Sequence, residues 1–240
     1  LRLDLEKRVL PQVELPHRLA VAAKQHGVYV SIGVSERDGM TGTLYNTNLV
    51  FTPDGRLDAV HRKLKPTGAE RVVWGDADRN FFPVTDSPWG PIGSMICWES
   101  YMPLARVALS QKGVTLYISP NTNDNEEWQS TIRHIALEGR CYFINCNMYF
   151  TRDMYPKNLS PLEHIDVLDE VVCRGGSCVV DPYGHYVWGD GKQNLHDMLC
   201  AFLRNGYTGL FSQELTDGRY FADPFYHDQR NMRNLRMYTE

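Results

Sequence analysis

A cysteine lies at the end of a short apolar run, where a fold could present it to a substrate. The run Ile92 to Cys97 (IGSMIC) predicts a core strand, and Trp98 and Glu99 follow it directly. If a helix begins just after this strand, its N-terminus would help to lower the pKa of the thiol. Backbone N–H groups such as that of Trp98 could then stabilise an anion. The alternative is a small thiol buried in the core, the usual environment of a single cysteine.

A lysine in a run of cations is the second candidate for chemistry. Lys63 lies in the string HRKLK at 61–65, and in a strand it faces away from Arg62 and Leu64. An inward ammonium is costly unless it is paired with a carboxylate or used in catalysis. Glu70, seven residues later, is a suitable partner. The alternative is a solvated strand edge.

Strands and helices alternate through the middle of the chain, which predicts an α/β fold with a mixed sheet. Helices are predicted at 15–27, 102–112 and 128–139. Strands are predicted at 28–34, 44–51, 57–64, 92–97, 114–119 and 141–148, with a strand pair at 171–173 and 178–181. The turn Thr52 to Gly55 predicts a hairpin. Residues 151–170 predict a surface loop or excursion, 195–203 a further helix, and the polar segment after Thr216 a solvated extension or interaction arm.

Composition excludes several classes of protein. The chain has 240 residues, a net charge of −4 and 42% hydrophobic residues, so we expect no nucleic-acid groove. No apolar run approaches the roughly 20 residues that cross a bilayer, and no signal peptide is visible at the N-terminus. Six cysteines without a disulfide-framework spacing indicate reduced thiols in a cytoplasmic protein.

The sequence contains no metal-ligand pattern. Cys173 and Cys178 are separated by four residues, which is not a zinc-knuckle spacing, and no second pair matches them. His134 and Glu138 share a helix face but lack a third ligand. We therefore predict that no metal is bound and that these residues pack in or near the core.

Several strings, taken in order, resemble the nitrilase branch of the carbon–nitrogen hydrolase superfamily. They are GVSERDG, LYNTNLVFTPDG, HRKLKPTGAER, ICWESYMPLAR, IRHIALEGRCYF and CRGGSCVVDPYG. The match runs from about Val28 to Val187, two thirds of the chain. We expect residues 1–240 to form a single carbon–nitrogen hydrolase domain in which 188–240 is a divergent C-terminal extension.

The resemblance implies a fold and a set of catalytic residues. The family fold is a four-layer α-β-β-α sandwich of two mixed sheets between helices, and subunits pair across a helical face into a dimer or a larger spiral. The family uses a Glu–Lys–Cys triad with a second glutamate near the site. By motif, Cys97 matches the nucleophile, Lys63 the lysine and Glu70 the second glutamate, while the backbone N–H of Trp98 would bind substrate.

The implied activity is hydrolysis of a small-molecule nitrile to a carboxylic acid and ammonia, with no metal or organic cofactor. Two alternatives stay open: an amidase or carbamoylase with the same thiol and lysine, and a non-catalytic assembly subunit of the same fold. The first triad glutamate has no match in the chain, since Glu6 and Glu14 lie in unsuitable contexts. We expect that an N-terminal portion carrying it is missing; a true loss is the other explanation.

Overall fold

The computed structural model describes residues 14–77, 82–156 and 163–189. Within these ranges, two sheets lie face to face between helices. Three of the predicted features lie outside the described residues. They are Glu6, the helix at 195–203 and the segment after Thr216. No helix in the described ranges is long and apolar enough to cross a membrane.

The first sheet has three antiparallel strands in chain order. They are β1 (Val30–Arg37), β2 (Leu44–Phe51) and β3 (Leu57–Arg62). The predicted hairpin joins β2 to β3, and Gly55 in its turn has a φ of +85°. A Cβ at this glycine would lie 2.6 Å from the backbone oxygen of Ala20, so glycine is required both by the turn and by the close approach of a helix.

That helix, α1 (Glu14–His26), covers the outer face of the first sheet. Its buried Ala23 packs with strand residues Val30, Ile32, Leu49 and Phe51. The apolar residues of α1 recur at helical spacing, which explains why one face of it is buried against the strands.

The second sheet has six strands in the order β11-β10-β7-β6-β5-β4. The strands are β4 (Val84–Thr85), β5 (Ile92–Ser94), β6 (Leu116–Asn121), β7 (Tyr142–Asn147), β10 (Cys178–Val180) and β11 (Tyr186–Trp188). The three central strands β5, β6 and β7 are parallel, and the flanking pairs are antiparallel. The mixed sheet expected from the sequence is therefore confirmed.

Two helices cover the outer face of the second sheet. They are α2 (Pro103–Ser110) and α3 (Glu126–Gly139). Trp128 and Ile132 of α3 are fully buried in one cluster with Met95, Leu109 and Phe143. A hydrogen bond of 2.9 Å from Asn48 to Ser94 joins the inner faces of the two sheets. The layer order is thus α-β-β-α, as the family resemblance implied.

The predicted strand pair at 171–173 and 178–181 is wrong in its pairing. The strands exist as β9 (Val171–Arg174) and β10, but β9 pairs with β8 (Tyr149–Thr151), whereas β10 pairs with β7 and β11. Gly175 and Gly176 separate them with φ values of +82° and +101°. This left-handed backbone turns the chain out of one sheet and into another.

Within the predicted surface loop or excursion at 151–170, the described residues 151–156 and 163–170 contain some regular structure. The segment begins in β8, continues through a 3₁₀ turn at Arg152–Met154 and contains the short helix α4 (Glu163–Asp166). Many of its described side chains are exposed, in agreement with the polar sequence.

Ile132 provides a test of the core under α3. Replacing the buried Ile132 with alanine removes packed methyl groups and leaves a cavity, so we expect the free energy of unfolding to fall by about 2–5 kcal/mol. Leu137→Ala on the same helix is the matched control, because Leu137 is exposed and should cost less than about 1 kcal/mol. Urea unfolding of both variants would measure this, and equal losses would contradict the assignment of the core.

Candidate active site

Cys97 lies where the backbone leaves the second sheet. Strand β5 ends at Ser94, three residues earlier than predicted, and Cys97 begins a 3₁₀ helix (Cys97–Tyr101) that leads into α2. Cys97 is a non-glycine residue with a φ of +54°. Such a conformation costs on the order of 1–3 kcal/mol and persists only where surrounding contacts enforce it. The predicted transition from a strand to a helix at Cys97 is therefore present, but the backbone turns more sharply and is more strained than expected.

Lys63 directly follows β3, and its side chain is 0% exposed. Its Nζ lies 2.6 Å from Oε2 of Glu70, and its backbone N–H donates to the carbonyl of Asn46 at 2.7 Å. Arg62 points the other way and donates to Glu36 at 3.0 Å. The sequence prediction of an inward lysine paired with Glu70 is thus met in the geometry.

The Glu70 carboxylate is held by the chain segment that carries it. Glu70 lies in a 3₁₀ helix (Gly68–Val72), and its Oε2 also accepts a hydrogen bond of 2.6 Å from the backbone N–H of Thr67. The same oxygen therefore receives an ammonium and an amide N–H. Charge-assisted hydrogen bonds of this kind fix a carboxylate more firmly than neutral ones do.

An open cavity of about 250 Å³ connects the candidates. Cys97 and Glu70 both line it. The remaining wall is mixed in character and comes from Asn46, Trp74, Thr122, Met148 and Phe150. The cavity thus brings the thiol and the lysine-bound carboxylate to one space with aromatic and polar walls.

Trp98 follows Cys97 within the 3₁₀ helix. Its ring is 49% exposed and packs edge-on against Tyr101, with ring centroids 5.3 Å apart. The ring is therefore part of the surface beside Cys97, while its backbone N–H belongs to the turn after the thiol.

Glu99 is the residue near the site whose role the sequence did not reveal. Its side chain is 0% exposed, and its two carboxylate oxygens accept three hydrogen bonds. The donors are the backbone N–H of Leu64 at 2.6 Å, the backbone N–H of Ile96 at 2.7 Å, and Nε2 of His61 at 2.8 Å. Its position two residues after Cys97 is the signal that the sequence offers, but nothing in the sequence says that two of its three partners, Leu64 and His61, lie 35 or more residues upstream.

The comparisons with known proteins bear on this geometry. The family model described as carbon-nitrogen hydrolase matches residues 6–200. The chain belongs to the carbon–nitrogen hydrolase family.

Similar curated members of this family lie in its nitrilase branch. The chain is 49% identical over 172 residues to an aliphatic nitrilase from Sinorhizobium fredii, which covers 72% of the chain and 54% of that protein. It is 43% identical over 185 residues to a bifunctional nitrilase/nitrile hydratase from Lupinus angustifolius, covering 72% and 50% respectively. The chain therefore spans about half the length of the curated relatives it matches.

Solved structures support the family fold. Saccharomyces cerevisiae Nit3, a member of the nitrilase superfamily, has a TM-score of 0.60 at 23% identity, over 75% of this chain and 61% of that one. An amidase from Nesterenkonia, solved with acrylamide added at its active-site cysteine, has a TM-score of 0.60 at 18% identity, over 74% and 65%. At these identities the likeness concerns the fold alone.

The other four cysteines within the described ranges differ from Cys97 in their surroundings. Cys141, Cys146, Cys173 and Cys178 are all free of disulfides. Burial raises the pKa of the Cys141 thiol to about 11, so it stays protonated and unreactive at neutral pH. None of the four lines the cavity.

The described ranges contain no group of three or more His, Cys, Asp or Glu residues that could hold a metal ion. Glu138 and His134 are largely exposed and 3.8 Å apart, so the predicted packing of His134 in or near the core is wrong. The polar face of α3 carries them outward.

The Lys63–Glu70 pair can be tested by a double-mutant cycle. Glu70→Leu leaves a buried ammonium without its carboxylate, whereas Lys63→Met together with Glu70→Leu removes both charges. We therefore expect Glu70→Leu alone to destabilise more than the double variant, with a coupling energy of about 0.5–3 kcal/mol. Chemical unfolding of the four proteins in the cycle measures it.

Lys65 and Asp76 supply the matched control, because they form an ion pair whose side chains are 56% and 53% exposed. Their cycle should give less than about 1 kcal/mol. Equal coupling energies in the two cycles would contradict the burial argument for Lys63.

Proposed function

We propose that the chain is a thiol-dependent hydrolase that converts a small nitrile to its carboxylic acid and ammonia. The observation that carries the proposal is that one cavity is lined by both Cys97 and Glu70, while the buried ammonium of Lys63 is bound to Glu70. A thiol and a carboxylate on one cavity wall, with a lysine bound to that carboxylate, are the groups that acyl transfer from a carbon–nitrogen bond requires. The curated relatives named as nitrilases support the nitrile as substrate class.

The first chemical step is attack of the Cys97 thiolate on the nitrile carbon. A C–S bond forms, one π bond of the nitrile breaks, and its nitrogen takes up a proton to give a thioimidate. The ammonium of Lys63 stabilises the negative charge that develops on nitrogen, and the backbone N–H of Trp98 stabilises the later tetrahedral anion.

Hydrolysis of the covalent intermediate follows. Water adds to the thioimidate carbon with Glu70 as general base, and the tetrahedral intermediate loses ammonia to leave a thioester at Cys97. A second water then releases the carboxylic acid and restores the thiol. Two waters are consumed for each nitrile, so the atoms balance without a metal or an organic cofactor.

The size of the cavity supports a small substrate. Its volume of about 250 Å³ lies below the range of about 300–1,000 Å³ typical of pockets for drug-sized ligands. Trp74, Met148 and Phe150 provide apolar contacts for a side chain, while Asn46 and Thr122 provide polar ones. These walls suit a short nitrile with an apolar substituent.

Ammonia release tests this proposal. The chain is incubated with short aliphatic and aromatic nitriles and, in parallel, with the corresponding amides. We expect release from nitriles, and we expect Cys97→Ala to lower the rate by at least about a thousandfold because no other thiol of the described residues lines the cavity.

Cys146→Ala is the matched control and should retain the native rate, since Cys146 does not line the cavity. Ammonia from Cys97→Ala at the native rate would remove Cys97 from the mechanism. Release from amides alone would favour the amidase or carbamoylase alternative, and no release from any protein would favour a non-catalytic subunit or an incomplete chain.

We further propose that the chain acts in the cytoplasm as a homo-oligomer, a dimer or a larger spiral, that pairs through its outer helices. Helix α2 exposes two apolar side chains one turn apart, Leu104 at 84% and Val107. Exposed apolar residues that recur on one helix face are typical of a subunit contact. The free cysteines fit a reducing compartment.

Leu104 provides the test of this interface. Leu104→Glu adds a charge to the exposed face of α2, so we expect the oligomer to dissociate and its mass to fall at least twofold in light scattering. Met40→Glu is the control. Met40 is 95% exposed in the loop that joins β1 to β2 of the first sheet, whereas α2 covers the second sheet. An unchanged mass for Leu104→Glu would contradict pairing through α2.

A further inference from the structure

We propose that Glu99 is a positioning residue that sets the separation of Lys63 and Cys97, with His61 orienting its carboxylate. This inference rests on the proposed function and adds a role that lies outside the thiol, the lysine and Glu70. Glu99 does not line the cavity and therefore acts through its neighbours.

The first argument is the choice of donors. Glu99 binds the backbone N–H of Leu64, which directly follows Lys63, and that of Ile96, which directly precedes Cys97. The two bonds, at 2.6 Å and 2.7 Å, end on the two oxygens of one rigid carboxylate. The residue after Lys63 and the residue before Cys97 are therefore both hydrogen-bonded to the Glu99 carboxylate.

The second argument is topological. Lys63 follows β3 of the first sheet, whereas Cys97 follows β5 of the second, and these sheets share no strand. Their relative position thus depends on contacts across the space between them. Glu99 crosses this space with charge-assisted hydrogen bonds in a site from which solvent is excluded, where such bonds are strongest.

The third argument is strain at Cys97. Its positive φ requires surrounding contacts to hold the turn. The backbone N–H of Ile96 donates to the Glu99 carboxylate, and these two residues lie on either side of Cys97 in the chain. This hydrogen bond therefore stabilises the turn that contains Cys97. Loss of the carboxylate would allow the turn to relax and the sulfur to move.

His61 completes the arrangement. Its ring is 1% exposed, donates from Nε2 to Glu99 at 2.8 Å, and stacks on Phe82 with centroids 5.5 Å apart. Aromatic packing fixes the ring plane, and the fixed ring in turn fixes the rotation of the carboxylate. No hydrogen-bond partner for Nδ1 occurs among the described residues, so the pairing with Glu99 dominates the orientation of the ring in that part of the chain.

Glu99 could instead be a buried polar group that serves stability alone. The hydrogen bond from Asn48 to Ser94 distinguishes the two roles, because it also joins the two sheets in a buried setting but flanks neither Lys63 nor Cys97. Ser94→Ala is therefore the matched control for loss of an inter-sheet hydrogen bond.

The experiment compares Glu99→Gln, His61→Leu, His61→Gln and Ser94→Ala with the native chain. Gln at 99 keeps the shape, but its amide N–H₂ must face at least one N–H donor. We expect kcat for nitrile hydrolysis to fall about 10- to 100-fold in Glu99→Gln, with KM changed less than about threefold, because displacements near 1 Å cost rates of this order. His61→Leu should show the same split between kcat and KM, and His61→Gln, which keeps a donor, should recover most of the loss.

Ser94→Ala should keep kcat within about threefold of the native value even though it lowers the thermal midpoint. A native kcat for Glu99→Gln or His61→Leu, or a fall in Ser94→Ala equal to theirs, would overturn the inference and leave the proposed function standing. If Glu99→Gln does not fold, the comparison of His61→Leu with His61→Gln decides.

A second readout separates the two hypotheses. The rate of Cys97 alkylation by iodoacetamide, followed by peptide mass spectrometry, depends on the distance from the sulfur to the lysine but requires no turnover. If the native chain releases no ammonia, the proposed function fails. A roughly tenfold slower alkylation of Glu99→Gln would still support the positioning role, and an unchanged rate would contradict it.

Discussion

A buried ammonium needs a negative partner, and the arrangement of the site follows from that requirement. The Nζ of Lys63 has left water completely, so the energy of its desolvation must be offset by a close carboxylate. Glu70 meets this need from a 3₁₀ helix that must therefore lie over the end of β3. The same constraint places the Glu70 carboxylate on the wall of the cavity that Cys97 also lines. The ion pair between Lys63 and Glu70 is thus needed to keep the lysine buried, in addition to the chemistry proposed for it.

Much of this could be predicted because it depends on local pattern. The hairpin of β2 and β3 follows from strand residues around a Pro-Asp-Gly turn, and α3 from apolar residues at helical spacing. The inward direction of Lys63 follows from alternation along an extended chain, and its pairing with Glu70 needs a separation of seven residues only. The family resemblance implies the layer order and makes Cys97 the expected nucleophile.

The rest depends on contacts between distant segments. Glu99 follows Cys97 in sequence, yet its carboxylate binds His61 in β3 of the first sheet and Leu64 just after that strand. The positive φ of Cys97 is not encoded by its residue type, since glycine or asparagine would be the usual choice there. The separation of β9 from β10 does not follow from the sequence pattern, because two adjacent strand-like segments normally pair, whereas here Gly175 and Gly176 adopt positive φ between them.

The ribbon of β8 and β9 is attached to the sandwich in an unusual way. The amide nitrogens of Asn145 and Asn147 donate to the backbone carbonyls of Gly176 and Gly175, so side chains rather than strand pairing hold its base. Phe150, on this ribbon, forms part of the cavity wall, whereas Cys97 and Lys63 follow strands of the two sheets. Part of the cavity wall is therefore carried by a structural unit separate from the two sheets. Changes in the ribbon could alter the shape of the cavity near Phe150 while the strands before Cys97 and Lys63 stay where they are.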